Sequence, residues 1–452
     1  MIILYFLVFI TSFLWIDVVN YPLFLAIGYK VFPIDLLFLG TIGFILFRRD
    51  LHLSRLPYFP SKSFLFFLMW IIFAVCYGFF RFTSIKPSDL RPVFPFFFFF
   101  VSYSLTRYRH LYLSTRLFRN VLIVSGIAVG LLFLIELTLG HRFGFSFRFI
   151  GEANYGFLVD ARGKRILGTQ DTFSALVLLI LIILSYLFKR PFRFTFLWIF
   201  LLLAIILISQ NRTAIFSLGI TFILYSIFLL RSDYRVKFLV TAFLVFLFGV
   251  MIVLYVSPGS FNLDLSDYIQ SVISPEKDVV GTGSWRFQMA RAALSDFYKS
   301  PVIGTGYGTQ WDLDVNRETY HMSPHNQYIA ILVRTGLIGL FLYLLLFVSI
   351  IRLYFTYRNH IPGYARPLFE TIFIALTAGI PYGFGFDIYP YFGFYLGYFL
   401  GVIQQIRTGR YRFARPAPLH IPKRNNYRFK KRDIDQNDPT PGLPVNRDKL
   451  SP

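Results

Sequence analysis

The sequence predicts an all-α, polytopic integral membrane protein of about twelve transmembrane helices, with one large extracytoplasmic loop carrying short helices. Three observations predict it. The 452 residues are 56% hydrophobic and only 15% charged, whereas a soluble domain carries about a quarter charged residues. Phenylalanine alone contributes 57 residues, much of it in uninterrupted apolar runs. The basic residues gather in the connections on one side of those runs, as cytoplasmic loops of membrane proteins do.

A bilayer-spanning helix needs roughly 20 apolar residues. That length criterion gives spans near 1–17, 22–47, 63–80, 90–106, 118–139 and 170–188, then near 193–209, 213–230, 237–256, 326–351, 366–383 and 387–405. The opening MIILYFLVFI has neither a basic n-region nor a small-residue cleavage site, so it reads as a retained first span. The span at 22–47 is long, with a break expected at Lys30 and Pro33. With the N-terminus inside, the inner connections collect Arg48, Arg49, Arg55 and Lys62, then Arg107, Arg109, Arg116 and Arg119, then Lys189, Arg190 and Arg193. Arg231, Arg235, Lys237, Arg352, Arg358 and Arg366 continue the series, and only the 81–91 connection runs against it. Both termini are therefore expected in the cytoplasm. Residues 1–410 form one transmembrane domain including the extracytoplasmic loop 257–325, and 411–452 form a basic tail expected to be disordered.

Composition also excludes functions. The net charge of +22 is spread over the inner connections and tail, with no compact basic domain to grip a duplex. The lone cysteine, Cys76, excludes disulfides and thiolate metal centres.

The unusual polar residues fall on the outer side. Arg212, in the tight turn SQNR at 209–212, lies at the hydrocarbon edge, where an arginine is costly unless it snorkels or pairs. An interface anchor is the plain reading, although the positive-inside pattern disfavours an anchor on that side. Arg286 opens an amphipathic helix that Ser284 can cap, with Trp285, Met289, Ala292 and Phe297 on one face, expected to lie on the bilayer. Alone, Arg286 fits a headgroup anchor as well as a substrate site. Converging guanidinium groups would make a diphosphate cradle, because each binds phosphate oxygens bidentately. Arg165 is the candidate third member.

His325 follows Pro324 and precedes Asn326 at the start of a long apolar run. Imidazole is the side chain best suited to accept a proton near neutral pH. His321, Asp312, Asp314 and Glu318 lie close in sequence, but Pro324 interrupts any helix through both histidines and no HExxH spacing exists, so no metal site is expected. GTGYG at 304–308 lacks the Lys-Ser/Thr of a phosphate loop and reads as a tight turn. Glu136, Arg334 and Glu370 lie in or near spans, where they pair structurally or mark a pathway.

SQNRTAIF at 209–216, SWRFQMARAAL at 284–294, SPVIGTGYG at 300–308 and HNQYIAILVRTGLIGL at 325–340 together resemble the O-antigen ligase/Wzy polymerase superfamily. RILGTQDTFSALVLL at 165–179 is similar to that family's segment leading into a middle helix. The resemblance covers roughly 165–345 in order. It implies a glycosyltransferase of the bacterial inner membrane with its active site on the periplasmic side. Such enzymes move a glycan from an undecaprenyl-diphosphate carrier to an acceptor hydroxyl, without nucleotide sugar, cofactor or metal. Carried over by position, His325 would deprotonate or orient the acceptor hydroxyl. Arg212 and Arg286, with Arg165, would bind the diphosphate, and Asn326 would fix the local geometry.

The expectation is thus a ligase acting on lipid A core, with a polymerase of the same superfamily as the alternative. A transporter of lipid-linked glycans would instead place functional charges at the midplane on broken helices, with an internal repeat.

Overall fold

The computed structural model describes residues 24–26, 29–31, 36, 38–43, 60–82, 93–135, 169–209, 212–229, 282–308, 311–315, 318–322, 326–384 and 391–409. Helix dominates them, as expected. In chain order the helices are α1 (Lys62–Arg81), α2 (Phe94–Tyr108), α3 (Leu111–Ile135), α4 (Thr169–Leu187), α5 (Thr195–Ser209) and α6 (Arg212–Leu229). They continue with α7 (Thr282–Phe297), α8 (Gln327–Tyr357), α9 (Arg366–Tyr382) and α10 (Phe392–Arg407). Nine of these coincide with expected spans to within about seven residues, and α7 lies in the expected loop. Among the described residues, Lys62–Arg81 and Gln327–His360 are the helices long and apolar enough to cross a membrane by themselves.

Three expectations need correction or fall elsewhere. The stretch 22–47 is not one helix: Phe24–Ala26 (β1) and Tyr29–Val31 (β2) pair antiparallel, Leu25 opposite Lys30, and helical backbone resumes at 38–43. Lys30 lies in this extended pair, and Pro33 lies outside the described residues. The spans expected at 1–17 and 237–256, and the tail from 411, lie outside the described residues.

What packs the helices is legible in the side chains. Along α10, Gly393, Gly397 and Gly401 recur every fourth residue and face α2. A Cβ at Gly393 would meet the Pro95 carbonyl, and one at Gly401 would meet Thr106. Small residues at this spacing let two backbones approach closely, the usual device where lipid supplies no hydrophobic drive between helices. Polar groups then close the seam: Ser102 Oγ donates to the Phe394 carbonyl (2.8 Å), and Gln405 Nε2 donates to the carbonyls of Arg109 (2.7 Å) and Thr106. The phenylalanine run of α2 fills the interior, with Phe98 stacked on Phe394 and Phe96 edge-on to Phe67 of α1. α1 and α8 run antiparallel, tied by Ser61 Oγ to Ser349 Oγ at 3.0 Å.

The outward faces are as apolar as the interior. Phe80 is 92% exposed, and Phe66, Met69 and Phe73 on α1 and Phe341, Leu344 and Val348 on α8 continue the stripe. A water-soluble surface rarely presents such a contiguous apolar band.

Candidate functional site

The site is set by the way α8 begins and by the way it breaks. Asn326 caps it: extended at φ −148°, its Oδ1 accepts from the backbone N–H of Tyr328 (3.0 Å) and Ile329 (3.1 Å). Two otherwise orphaned helix-start donors are thereby satisfied. Its Nδ2 meanwhile donates to the Phe384 carbonyl at 3.2 Å, the Gln327 N–H donates to Gly383, and the Tyr328 hydroxyl donates to Ile380 at 2.7 Å. The start of α8 is thus clamped to the C-terminal end of α9.

The run expected as one helix from 326 onward is two. Gly336 adopts φ 69° and ψ −172°, a conformation essentially confined to glycine. The regular ladder would pair the N–H groups of Leu337 and Ile338 with the carbonyls of Val333 and Arg334. Here the chain exchanges partners with residues 301–306. Leu337 donates to Pro301 (2.9 Å) and Ile338 to Val302 (3.4 Å), while Thr305 donates to Val333 (2.7 Å) and Gly306 to Arg334 (3.0 Å). The Thr335 carbonyl accepts from Trp70 Nε1 at 2.8 Å, and Tyr307 donates to Ala74 at 3.2 Å. A broken helix is tolerated in an apolar setting only where such partners re-satisfy its backbone. GTGYG is the tight turn expected, with Gly304 and Gly306 at positive φ. Its role is to insert into the break between α1 and α8.

Arg334, 5% exposed, resolves its own ambiguity. Its guanidinium carbon lies 5.4 Å from the Tyr307 ring centre and 5.6 Å from that of Trp311. Cation–π contact of this kind strengthens as water is removed. The sequence signal for the break was available, a glycine inside a long apolar run, but the aromatic partners were not.

Arg286 lies in α7, one turn before Met289. The apolar face of α7 does not lie on the bilayer as expected. Met289 and Ala293 are fully buried, with Ala292 and Phe297 beside them, against Trp311, Val333 and Ile329. The face is covered because Trp311 begins a hairpin that folds over it. Trp311–Val315 (β3) pairs with Glu318–Met322 (β4), and Trp311 Nε1 donates to Asp296 Oδ2 at 3.0 Å. Nor does Ser284 mark the helix start, since α7 already runs from Thr282. The hairpin sets Asp312 opposite His321 in register.

Arg212 is the first residue of α6. The far half of α6 packs against the start of α9, where Tyr225 lies close to Glu370. From there Arg212 lies 13 residues back along α6 and Tyr382 lies 12 residues on along α9, both roughly 20 Å at 1.5 Å per residue. Arg212 is therefore at the Asn326 end of the bundle. The start of α4 is there too, with Phe173 in ring contact with Tyr382 (5.4 Å) and Tyr391 (5.6 Å). Three helices, α4, α6 and α8, thus begin at one end, each with roughly half a positive charge at its start. Such an end favours an anion. His325 and Arg165 lie outside the described residues, each adjoining this end in sequence.

Glu370 belongs to the opposite end. Only 1% exposed, it accepts from the Tyr354 hydroxyl and pairs with Arg366 Nε at 3.5 Å, while Arg358 lies over the Tyr354 ring at 5.2 Å. Of the two roles open to it, structural pairing holds.

The sequence model of a family described as O-antigen ligase matches residues 197–344. That segment runs from α5 through α6, α7 and the 301–306 insertion into α8, and contains Arg212, Arg286 and His325. No curated protein matches the chain. The resemblance to the O-antigen ligase/Wzy superfamily is thus shown over 197–344, and it makes the chain similar to bacterial membrane enzymes of ligase or polymerase type.

Proposed function

We propose that the chain is a glycosyltransferase that moves a glycan from an undecaprenyl-diphosphate carrier to an acceptor hydroxyl, of the ligase type with lipid A core as acceptor. What supports this reading is that Arg212 at the start of α6, the α7 helix of Arg286 and the capped start of α8 all fall within the family-matched segment, with α7 packed on α8. About twelve spans, both termini in the cytoplasm, and a periplasmic position for that end complete it.

The chemistry follows from what the donor already carries. The acceptor oxygen attacks the anomeric carbon, a new C–O bond forms, and the bond from that carbon to the diphosphate oxygen breaks. The electron pair leaves on the carrier diphosphate, which Arg212, Arg286 and Arg165 would stabilise where charge develops. The starts of α4, α6 and α8 add to the same field. The hydroxyl proton passes to the His325 imidazole, a base suited to neutral pH. Asn326 acts through position, because it follows His325 in sequence and its clamp on Phe384 fixes the start of α8. The activated leaving group makes nucleotide sugar, cofactor and resident metal unnecessary to this scheme.

The test compares surface glycans, on gels, from cells lacking the protein and restored with the parent or with His325→Ala. Loss of all polymer from the outer-membrane lipid, with long chains still on the carrier, is the expected result. His325→Ala should fail to restore transfer, by about a hundredfold or more, while inserting normally. Retention of a single repeat unit on that lipid would identify a polymerase instead. Full restoration by His325→Ala would overturn the base assignment.

A further inference from the structure

At the end of the bundle opposite Asn326, three connections meet that the transfer reaction does not use. They are residues 107–119, 186–197 and 358–366, and together they carry Arg107, Arg109, Arg116, Arg119, Lys189, Arg190, Arg193, Arg358 and Arg366 without one Asp or Glu. The nearest carboxylate among the described residues, Glu370, is already engaged by Arg366 and Tyr354.

The connections are held in register by rings. Arg119 lies over Phe192 at 5.9 Å, Arg366 over Phe188 at 5.4 Å, and Arg193 over Phe194 at 5.0 Å. Tyr112 and Tyr364 meet edge to face at 5.6 Å, and burial pushes the Tyr364 phenol above its ordinary value, so it adds no negative charge. Within the turn, Arg190 N donates to Ser185 O at 2.7 Å and Thr195 Oγ1 to Phe192 O at 2.6 Å. Lys189 and Phe194 both take positive φ, 56° and 59°, a region that non-glycine residues seldom occupy and that clusters where structure serves a ligand.

Beside these cations is a shallow hollow of about 430 Å³, lined by Tyr186, Pro191, Phe192, Phe194, Phe196 and Leu197. Its rim is apolar and outward-facing, with Phe194, Phe196 and Leu197 all largely exposed. An acyl chain is chemically suited to that wall, and a phosphate diester to the Lys189, Arg190 and Arg193 cations carried by the same turn.

We propose that the 186–197 turn binds an anionic phospholipid of the leaflet at this end. Lys189, Arg190 and Arg193 hold its phosphate, and Tyr186, Phe196 and Leu197 take the upper part of its chain. Basic connections on the cytoplasmic side attract anionic lipid diffusely in many membrane proteins. Here the turn pinned by Arg119 and Arg366 on its rings, its two left-handed residues and the hollow set this turn apart from such a diffuse surface. The proposal rests on the helices being membrane spans and is independent of the chemistry at the other end.

Native mass spectrometry of the full chain in detergent tests it, with phosphatidylglycerol and phosphatidylcholine of identical chains. The parent should retain phosphatidylglycerol at concentrations where phosphatidylcholine is lost. Replacing Lys189, Arg190 and Arg193 together by Gln should lower that retention about tenfold. Neutralising Arg109, Arg116 and Arg352 instead should leave it within about twofold; an equal loss in the two triple variants would mean diffuse attraction and overturn the site. Should the first triple variant not fold, Phe194→Gly keeps every charge, relieves the positive φ and removes the ring. It should weaken retention with the melting midpoint preserved, and unchanged retention in that variant overturns the proposal. Displacement of the lipid by millimolar inorganic phosphate would also overturn it, by showing a site for a free anion.

Discussion

Replacing Gly336 with alanine tests the join between the broken helix and the loop that fills it. Two costs add. A non-glycine residue at φ 69°, ψ −172° is strained by about 2 kcal/mol. The new Cβ also points at the Val302 carbonyl and the Gly304 N–H, so residues 301–306 must move off. Four backbone hydrogen bonds span that join; losing two, at about 1 kcal/mol each, adds about 2 kcal/mol. The sum is about 4 kcal/mol, and at roughly 2 °C per kcal/mol for a large domain the melting midpoint should fall by about 8 °C. The control is Gly219→Ala in α6, where the added Cβ meets nothing within 4 Å. Alanine there should raise stability by about 0.5–1 kcal/mol, since glycine is the poorer helix former. The assay is thermal unfolding of the purified full chain in detergent. Equal midpoints for Gly336→Ala and the parent would refute the account of the break.

Other substitutions probe the rest of the molecule. Arg286→Lys keeps the charge but loses the bidentate fork, so donor affinity, measured with a carrier-linked glycan, should fall about ten- to a hundredfold; unimpaired affinity would make Arg286 a headgroup anchor. Asn326→Ala removes a helix cap worth about 1 kcal/mol. Asn326→Asp keeps the accepting oxygen but, like alanine, loses the donor to Phe384, so it should melt closer to the parent than the alanine variant does while both lose transfer. Glu370→Ala leaves the Tyr354 hydroxyl and Arg366 without their shared acceptor, at a cost of about 3–5 kcal/mol for a broken buried pair. Turnover per folded molecule should be unchanged, because Glu370 is far from Asn326; a selective loss of turnover would sink its structural assignment.

Much of this fold was legible because length and hydropathy suffice to find a helix in an apolar chain. Nine of the expected spans are helices for that reason. Which face each helix turns inward was not legible. Lipid is as apolar as leucine, so Met289 buried on Val333 and Phe341 facing outward carry the same sequence signal. Small and polar residues mark an interior more reliably, as Gly393, Gly397, Gly401, Ser102 and Gln405 show. In the site, Asn326 was placed by the sequence only at the start of a long apolar run, and its capping of that helix is seen in the structure. Arg334 between Tyr307 and Trp311 was not legible, since those rings come from segments separated by the turn and hairpin. The extended pair at 24–31 was hidden too, because a short apolar run has no period to separate strand from helix.

The exchange at Gly336 also orders events in time. Residues 301–306 leave the ribosome before Gly336, and the carbonyls and amides they bond do not yet exist in helical form. Until the later segment is inserted, the turn lacks its α8 partners and α7 has no Ile329 or Val333 to rest on. A nascent or truncated chain ending before α8 therefore displays Arg212 and Arg286 on an unassembled frame. On the proposed chemistry, the diphosphate ligands and the base come together only in the finished protein, and a half-made molecule cannot strip carriers of their glycan.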